Sequence, residues 1–119
     1  VAFASPADRV SEAGRHLEMT ARQLGLPRTL WCADFMNLVE RRIGRRGTGS
    51  RAAMSFAHYG HRLAGPAVGA IATMGRRGGG HVGVVTGFDA RTVTVISGNH
   101  GPTVSESVYA RSRIRTYAH

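Results

Sequence analysis

The sequence predicts an α+β domain in which N-terminal helices pack on a C-terminal antiparallel sheet of about five strands. Two observations carry that prediction. Up to Tyr59, apolar residues recur at the three- and four-residue spacing of amphipathic helices. After Pro66 they give way to short runs rich in valine and isoleucine, separated by turn residues.

Each element has its own signals. Ser5-Pro6-Ala7-Asp8 supplies an N-cap, a proline at the first helical position and an acidic residue in the first turn. Val10, Ala13, Leu17, Ala21 and Leu24 then line one face, so one helix is expected to run to the stop at Gly25 and Pro27. A second helix starts near Trp31 and carries Phe35, Leu38, Val39 and Ile43 before Gly44. Ser50 is expected to cap a short third helix through Ala53, Met54 and Phe56 to Tyr59, closed by Gly60. Ala70 to Met74 reads as a strand, and Gly75 to Gly80 as a glycine- and arginine-rich loop. His81 to Thr86 and Thr92 to Ser97 form a hairpin around Asp89, and Thr103 to Tyr109 and Arg113 to Tyr117 are further strands.

The chain of 119 residues fits one domain, 1–119, with a helical half at about 5–60 and a strand half at about 66–118. No apolar run approaches the roughly 18 residues of a membrane span. A single cysteine excludes an internal disulfide framework and any cysteine-rich zinc module. Sixteen basic residues, all arginine, face seven acidic ones, a formal net charge of +9. That charge attracts polyanions, but the arginines are scattered, with short pairs at Arg41-Arg42, Arg45-Arg46 and Arg76-Arg77. With aromatics at only 7%, no stripe of a specific nucleic-acid reader emerges. Ala2-Phe3-Ala4 matches the small-x-small pattern of a signal-peptidase site, from which export is expected.

Three residues are candidates for chemistry. Cys32 opens a helix, where free amides and the partial positive charge of the helix end favour a thiolate. The competing reading of Cys32 is a small buried apolar side chain, and Asp34 would oppose ionisation if it faced the sulfur. His81 begins a strand after three glycines, and Gly83 leaves room on the same face for a close neighbour. Asn99, in Ile96-Ser97-Gly98-Asn99-His100-Gly101, could orient the imidazole from the next strand or serve as a turn residue. His100 could take its place, but adjacent strand residues face opposite sides, so not both. His58 and His61 lack further ligands at useful spacing, so no metal and no cofactor is expected. The glycines before His81 lack the Gly-Lys-Ser/Thr ending of a phosphate loop.

Taken in order, Trp31-Cys32-Ala33-Asp34-Phe35, Gly69-Ala70-Ile71, Gly80-His81-Val82-Gly83-Val84-Val85 and Gly98-Asn99 resemble the NlpC/P60 superfamily of papain-like cysteine peptidases. The likeness is to the small branch with a Trp-Cys-Ala-x-Phe motif and a Gly-His-Val-Gly motif, and it runs from about Leu24 to Tyr117. It implies a papain-like fold and a cell-wall hydrolase, which with the Ala2-Phe3-Ala4 pattern is expected to be exported, periplasmic or secreted. Such an enzyme would cut peptide or amide bonds in the stem peptides of bacterial peptidoglycan, acting as a monomer without a cofactor. Cys32 would be the nucleophile and one oxyanion donor through its backbone N–H, His81 the general base, and Asn99 the orienting group. Trp31, Gly80 and Gly98 would line the substrate groove. Members of the superfamily often carry tyrosine or glutamine upstream of the cysteine; here stand Arg28, Thr29 and Leu30, so no second oxyanion donor is assigned. A catalytically silent wall-binding module of the same fold and a basic nucleic-acid-binding domain are the competing readings.

Overall fold

In the computed structural model, which describes residues 5–76, 79–99 and 101–119, Ser5 caps helix α1 (Pro6–Arg15). Its hydroxyl accepts from the Asp8 N–H at 3.2 Å while the Asp8 carboxylate accepts from the Ser5 N–H at 2.8 Å, a reciprocal box built on the N-cap that the sequence predicts. The Ala2-Phe3-Ala4 pattern, Arg77 and His100 lie outside the described residues.

The first helix is shorter than its apolar spacing predicts. It stops at Arg15, and Glu18 takes a left-handed backbone (φ 70°). The chain leaves the helix to pair with the strand half: Glu18 N–H donates to the Val104 carbonyl and Val104 N–H to the Met19 carbonyl, both at 2.8 Å, and Thr20 bridges Thr103. Leu17, assigned by spacing to the buried face, is 39% exposed. Thr20 then starts a separate turn, its hydroxyl accepting from Gln23 N–H at 3.1 Å and the Gln23 side-chain amide oxygen Oε1 from Thr20 N–H at 2.9 Å. Non-local pairing thus overrides the period, and the Thr-x-x-Gln box marks where.

Helix α2 (Cys32–Arg42) runs as expected, with Phe35, Met36 and Val39 fully buried. Its Asn37 pins the following loop, accepting from Thr48 N–H at 2.8 Å and Gly49 N–H at 3.2 Å and donating to the Ser50 carbonyl at 2.9 Å. The predicted third helix is a 3₁₀ segment, Ala53–His58, and the Ser50 hydroxyl satisfies Ala52 N–H just before it. A buried ion pair ties α1 to α2. The Arg9 Nε and Nη2 donate to the two Glu40 carboxylate oxygens at 2.9 and 2.7 Å, and Nη1 donates to the Gly69 carbonyl at 2.7 Å.

Among the described residues, six antiparallel strands follow: β1 (Arg62–Leu63), β2 (Ile71–Arg76), β3 (Gly79–Phe88), β4 (Thr92–Ser97), β5 (Ser105–Ala110) and β6 (Ile114–Ala118), in the order β1-β6-β2-β3-β4-β5. The sixth, β1, is a two-residue edge pairing with Ala118 and Tyr117, too short to leave a pattern. The expected loop at Gly75 to Gly80 is largely strand, with Gly75 paired to Gly80 and Arg76 to Gly79. Pairing with a partner strand keeps these glycines extended despite their low strand preference. One face of the sheet, through Ile71, Val82, Val84 and Ile96, packs against Trp31, Phe35, Met36 and Val39. The other gathers Ala72, Met74, Val85, Val93, Val95 and Tyr109. The architecture is α+β, as the sequence predicts, and compatible with a papain-like fold.

Candidate active site

Cys32 sits at the first position of α2, behind the N-cap Trp31, which makes no side-chain capping bond. The backbone N–H groups of a first helical turn have no acceptor within their own helix and are oriented toward developing negative charge. The turn leading in is strained: Leu30 has φ 50°, unusual for a residue with a bulky side chain, and is 67% exposed. Arg51 fastens it. Its Nε donates to both Asp34 carboxylate oxygens at 3.1 and 3.0 Å, and its Nη2 donates to the Thr29 carbonyl at 2.7 Å. The acidic side chain two residues after the cysteine is therefore matched by a guanidinium, which offsets its opposition to a thiolate.

The Cys32 sulfur reaches the start of β3, 4.0 Å from the Gly80 carbonyl oxygen, on the peptide that leads into His81. Cysteine and histidine are thus brought to the same end of one strand. The His81 ring is buried, 1% exposed, with its Nε2 2.8 Å from the Ser97 hydroxyl and its centroid 6.2 Å from that of Tyr109.

Ser97, not Asn99, makes that bond. Extending the Val84–Ile96 register along both strands would set residue 99 opposite His81, with residue 97 diagonal to it on the same face. But β4 ends at Ser97, and Asn99 turns away with φ 61°, a conformation asparagine tolerates better than most residues. Ser97 can come close because β3 has no side chain at Gly83: a Cβ there would lie 2.9 Å from the Ser97 Cβ and 2.6 Å from the Ile96 carbonyl oxygen. The room at Gly83 was legible from the strand; its occupant was not. His100, the other candidate for this role, lies outside the described residues.

Asn99 instead lines a hollow of about 330 Å³ together with Thr20, Ala21, Arg22, Arg28, Trp31, Gly101 and Pro102. Of the expected groove residues, Trp31 is 2% exposed and forms part of that wall. Gly98 is buried beneath it, since a Cβ there would come within 2.7 Å of the indole and 2.9 Å of the Phe35 Cβ. Gly80 carries the carbonyl facing the sulfur, and a Cβ on it would meet Met54 at 3.0 Å. Among the described residues no group of three or more His, Cys, Asp or Glu side chains could hold a metal ion.

With the thiol at a helix end and a buried imidazole on the adjoining strand, the match to the CHAP domain family over residues 23–99 becomes intelligible. The chain belongs to the CHAP domain family. The CHAP domain sits in the NlpC/P60-related, papain-like group of cysteine peptidases and amidases, and implies peptidoglycan hydrolase activity in general. The matched span contains Cys32, His81, Ser97 and Asn99. Comparison with curated proteins and with solved structures finds no match.

Proposed function

We propose that this CHAP domain cleaves peptide or amide bonds in peptidoglycan stem peptides with Cys32 as nucleophile, His81 as general base and Ser97 as the group that orients His81. The observation that carries the proposal is the Cys32 sulfur 4.0 Å from the carbonyl of Gly80, the residue before a buried His81 whose Nε2 meets the Ser97 hydroxyl at 2.8 Å. With Nε2–H donating to Ser97, the imidazole lone pair falls on Nδ1, the nitrogen that takes the thiol proton. The sulfur attacks the carbonyl carbon, and the oxyanion forms at the α2 N-terminus, where the Cys32 N–H stabilises it. The carbon–nitrogen bond then breaks, the imidazolium returns the proton to the leaving amine, and water hydrolyses the thioester with His81 again as base.

Ser97 carries no charge, so it fixes tautomer and ring direction without the electrostatic help a carboxylate would give the imidazolium. A wall substrate goes with action outside the cytoplasm, periplasmic or secreted. The net charge of +9 supports approach to an anionic polymer. The test is digestion of purified peptidoglycan by the protein and by its Cys32→Ala variant, with mass spectrometry of the soluble products. Fragments released by the wild type alone are expected, and their masses name the bond. A folded wild type that binds walls and releases nothing overturns the catalytic assignment in favour of a silent module.

A further inference from the structure

The hollow beside Trp31 is a built recess with a charge pattern that the cleavage chemistry does not use. Arg22 and Arg28 line it, and among the described residues no acidic side chain does. Among the described residues neither arginine belongs to an ion pair, whereas Arg9, Arg45 and Arg51 each engage a carboxylate. Ala21, Trp31 and Pro102 give it apolar wall, and Asn99 adds an amide. The position is informative. Trp31 precedes the nucleophile, and Asn99 follows by two residues the serine that holds the histidine. A substrate extended from Cys32 toward Trp31 and Asn99 would run past this recess.

We propose that this hollow is a substrate subsite selecting a free carboxylate on the peptide next to the bond that is cut, with Arg22 and Arg28 as its cationic walls and Asn99 as a hydrogen-bonding partner. The proposal deepens the hydrolase reading and rests on it for the identity of the substrate. Guanidinium forks match a carboxylate in shape and charge, and the apolar wall suits the alkyl stem that carries it. Asn99, in its left-handed turn, is one of the residues lining the recess. Because both arginines are exposed, the discrimination is modest, on the order of tenfold, and sensitive to salt.

Trp31 is the only tryptophan in the chain, so its fluorescence reports on the hollow directly. The Cys32→Ala protein is titrated with acetyl-Ala-Glu-amide and with the isosteric acetyl-Ala-Gln-amide, read by Trp31 fluorescence and by the Gly101 amide shift. The glutamate peptide is expected to bind about tenfold tighter. That preference should vanish in the Arg22→Gln/Arg28→Gln double variant and near 1 M salt, where the screening length is about 3 Å. Binding of the glutamine peptide should be unchanged in the double variant. Equal affinities, a preference that survives the double substitution, competition by inorganic phosphate at the same concentration, or no response to either peptide would each overturn the subsite. Wall digestion separates the two proposals: fragments released without carboxylate preference sink the subsite alone, and carboxylate binding without release sinks the hydrolase alone.

Discussion

Replacing Ser97 by alanine tests the site most sharply, because it removes one oxygen from a bond buried on both sides. His81 and Ser97 are 1% and 0% exposed, and their side chains meet at 2.8 Å. The Ser97 Cβ packs over Gly83 with the Ile96 carbonyl close by, so the bond is enclosed. The imidazole nitrogen therefore bears the full cost of losing a buried partner, about 1–3 kcal/mol. If that cost falls on orientation of the base, kcat drops by about 5- to 150-fold at about 1.4 kcal/mol per factor of ten, with KM little changed. Losing the acceptor also disfavours the imidazolium, so the acid limb of the kcat profile moves to lower pH, a shift that loosened packing alone would not give. The assay is the rate of fragment release from soluble wall peptides across pH for wild type, Ser97→Ala and Asn99→Ala, with circular dichroism to confirm folding. Asn99→Ala should leave kcat near wild type and act on KM. If Ser97→Ala retained wild-type kcat and Asn99→Ala lost it, the assignment of the orienting group would be wrong.

Two further predictions concern the scaffold. Glu40→Gln keeps the shape of the side chain but leaves the Arg9 guanidinium buried opposite a neutral amide. Breaking such a pair costs about 3–5 kcal/mol, which at about 4 °C per kcal/mol lowers Tm by roughly 12–20 °C in a calorimetric scan; a fall of less than about 3 °C would mean that Arg9 finds solvent instead. In the β3–β4 turn, the Arg91 and Thr92 N–H groups donate to the Asp89 carboxylate at 2.8 and 2.7 Å and hold its pKa below 3.8. A lowered folded-state pKa means the turn is stabilised above the unfolded value, and that contribution is lost as pH falls through the folded one. Amide shifts of Arg91 and Thr92 followed by NMR should therefore titrate with a midpoint below 3.8, and a midpoint above it would contradict the bonding.

Much of the scaffold was legible because its signals are local. The Ser5 box, the apolar face of α2 and the Asp89 hairpin each announce themselves within a few residues. What escaped depends on partners distant in sequence. The end of α1 is set by Val104, about ninety positions away, and β1 exists only because Ala118 and Tyr117 pair with it. The site divides along the same line. Cys32 and His81 stand out by residue type and position on their elements. Ser97 is an ordinary strand residue whose bond to His81 appears only once the β4 end point is known, because whether residue 97 or 99 meets the imidazole turns on where pairing stops. Arg51 is likewise one arginine among sixteen until the fold carries it to Asp34 and Thr29.

The glycines around the histidine explain why this segment reads as loop and yet builds the site. At Gly83 a side chain would strike Val95 and separate Ser97 from its place beside β3, and at Gly98 it would push Trp31 and α2 off the end of β4. At Gly80 it would press on Met54 and the Met74 carbonyl, beside the oxygen that faces the sulfur. Each absence lets an element of the candidate site approach by the width of a methyl group: Ser97, the helix that begins with Cys32, and the strand that carries His81. Low intrinsic strand preference is tolerated because the ladder to β2 holds Gly79, Gly80 and Gly83 extended from one side. The glycine-rich stretch is therefore the fitted surface against which the other parts of the site close.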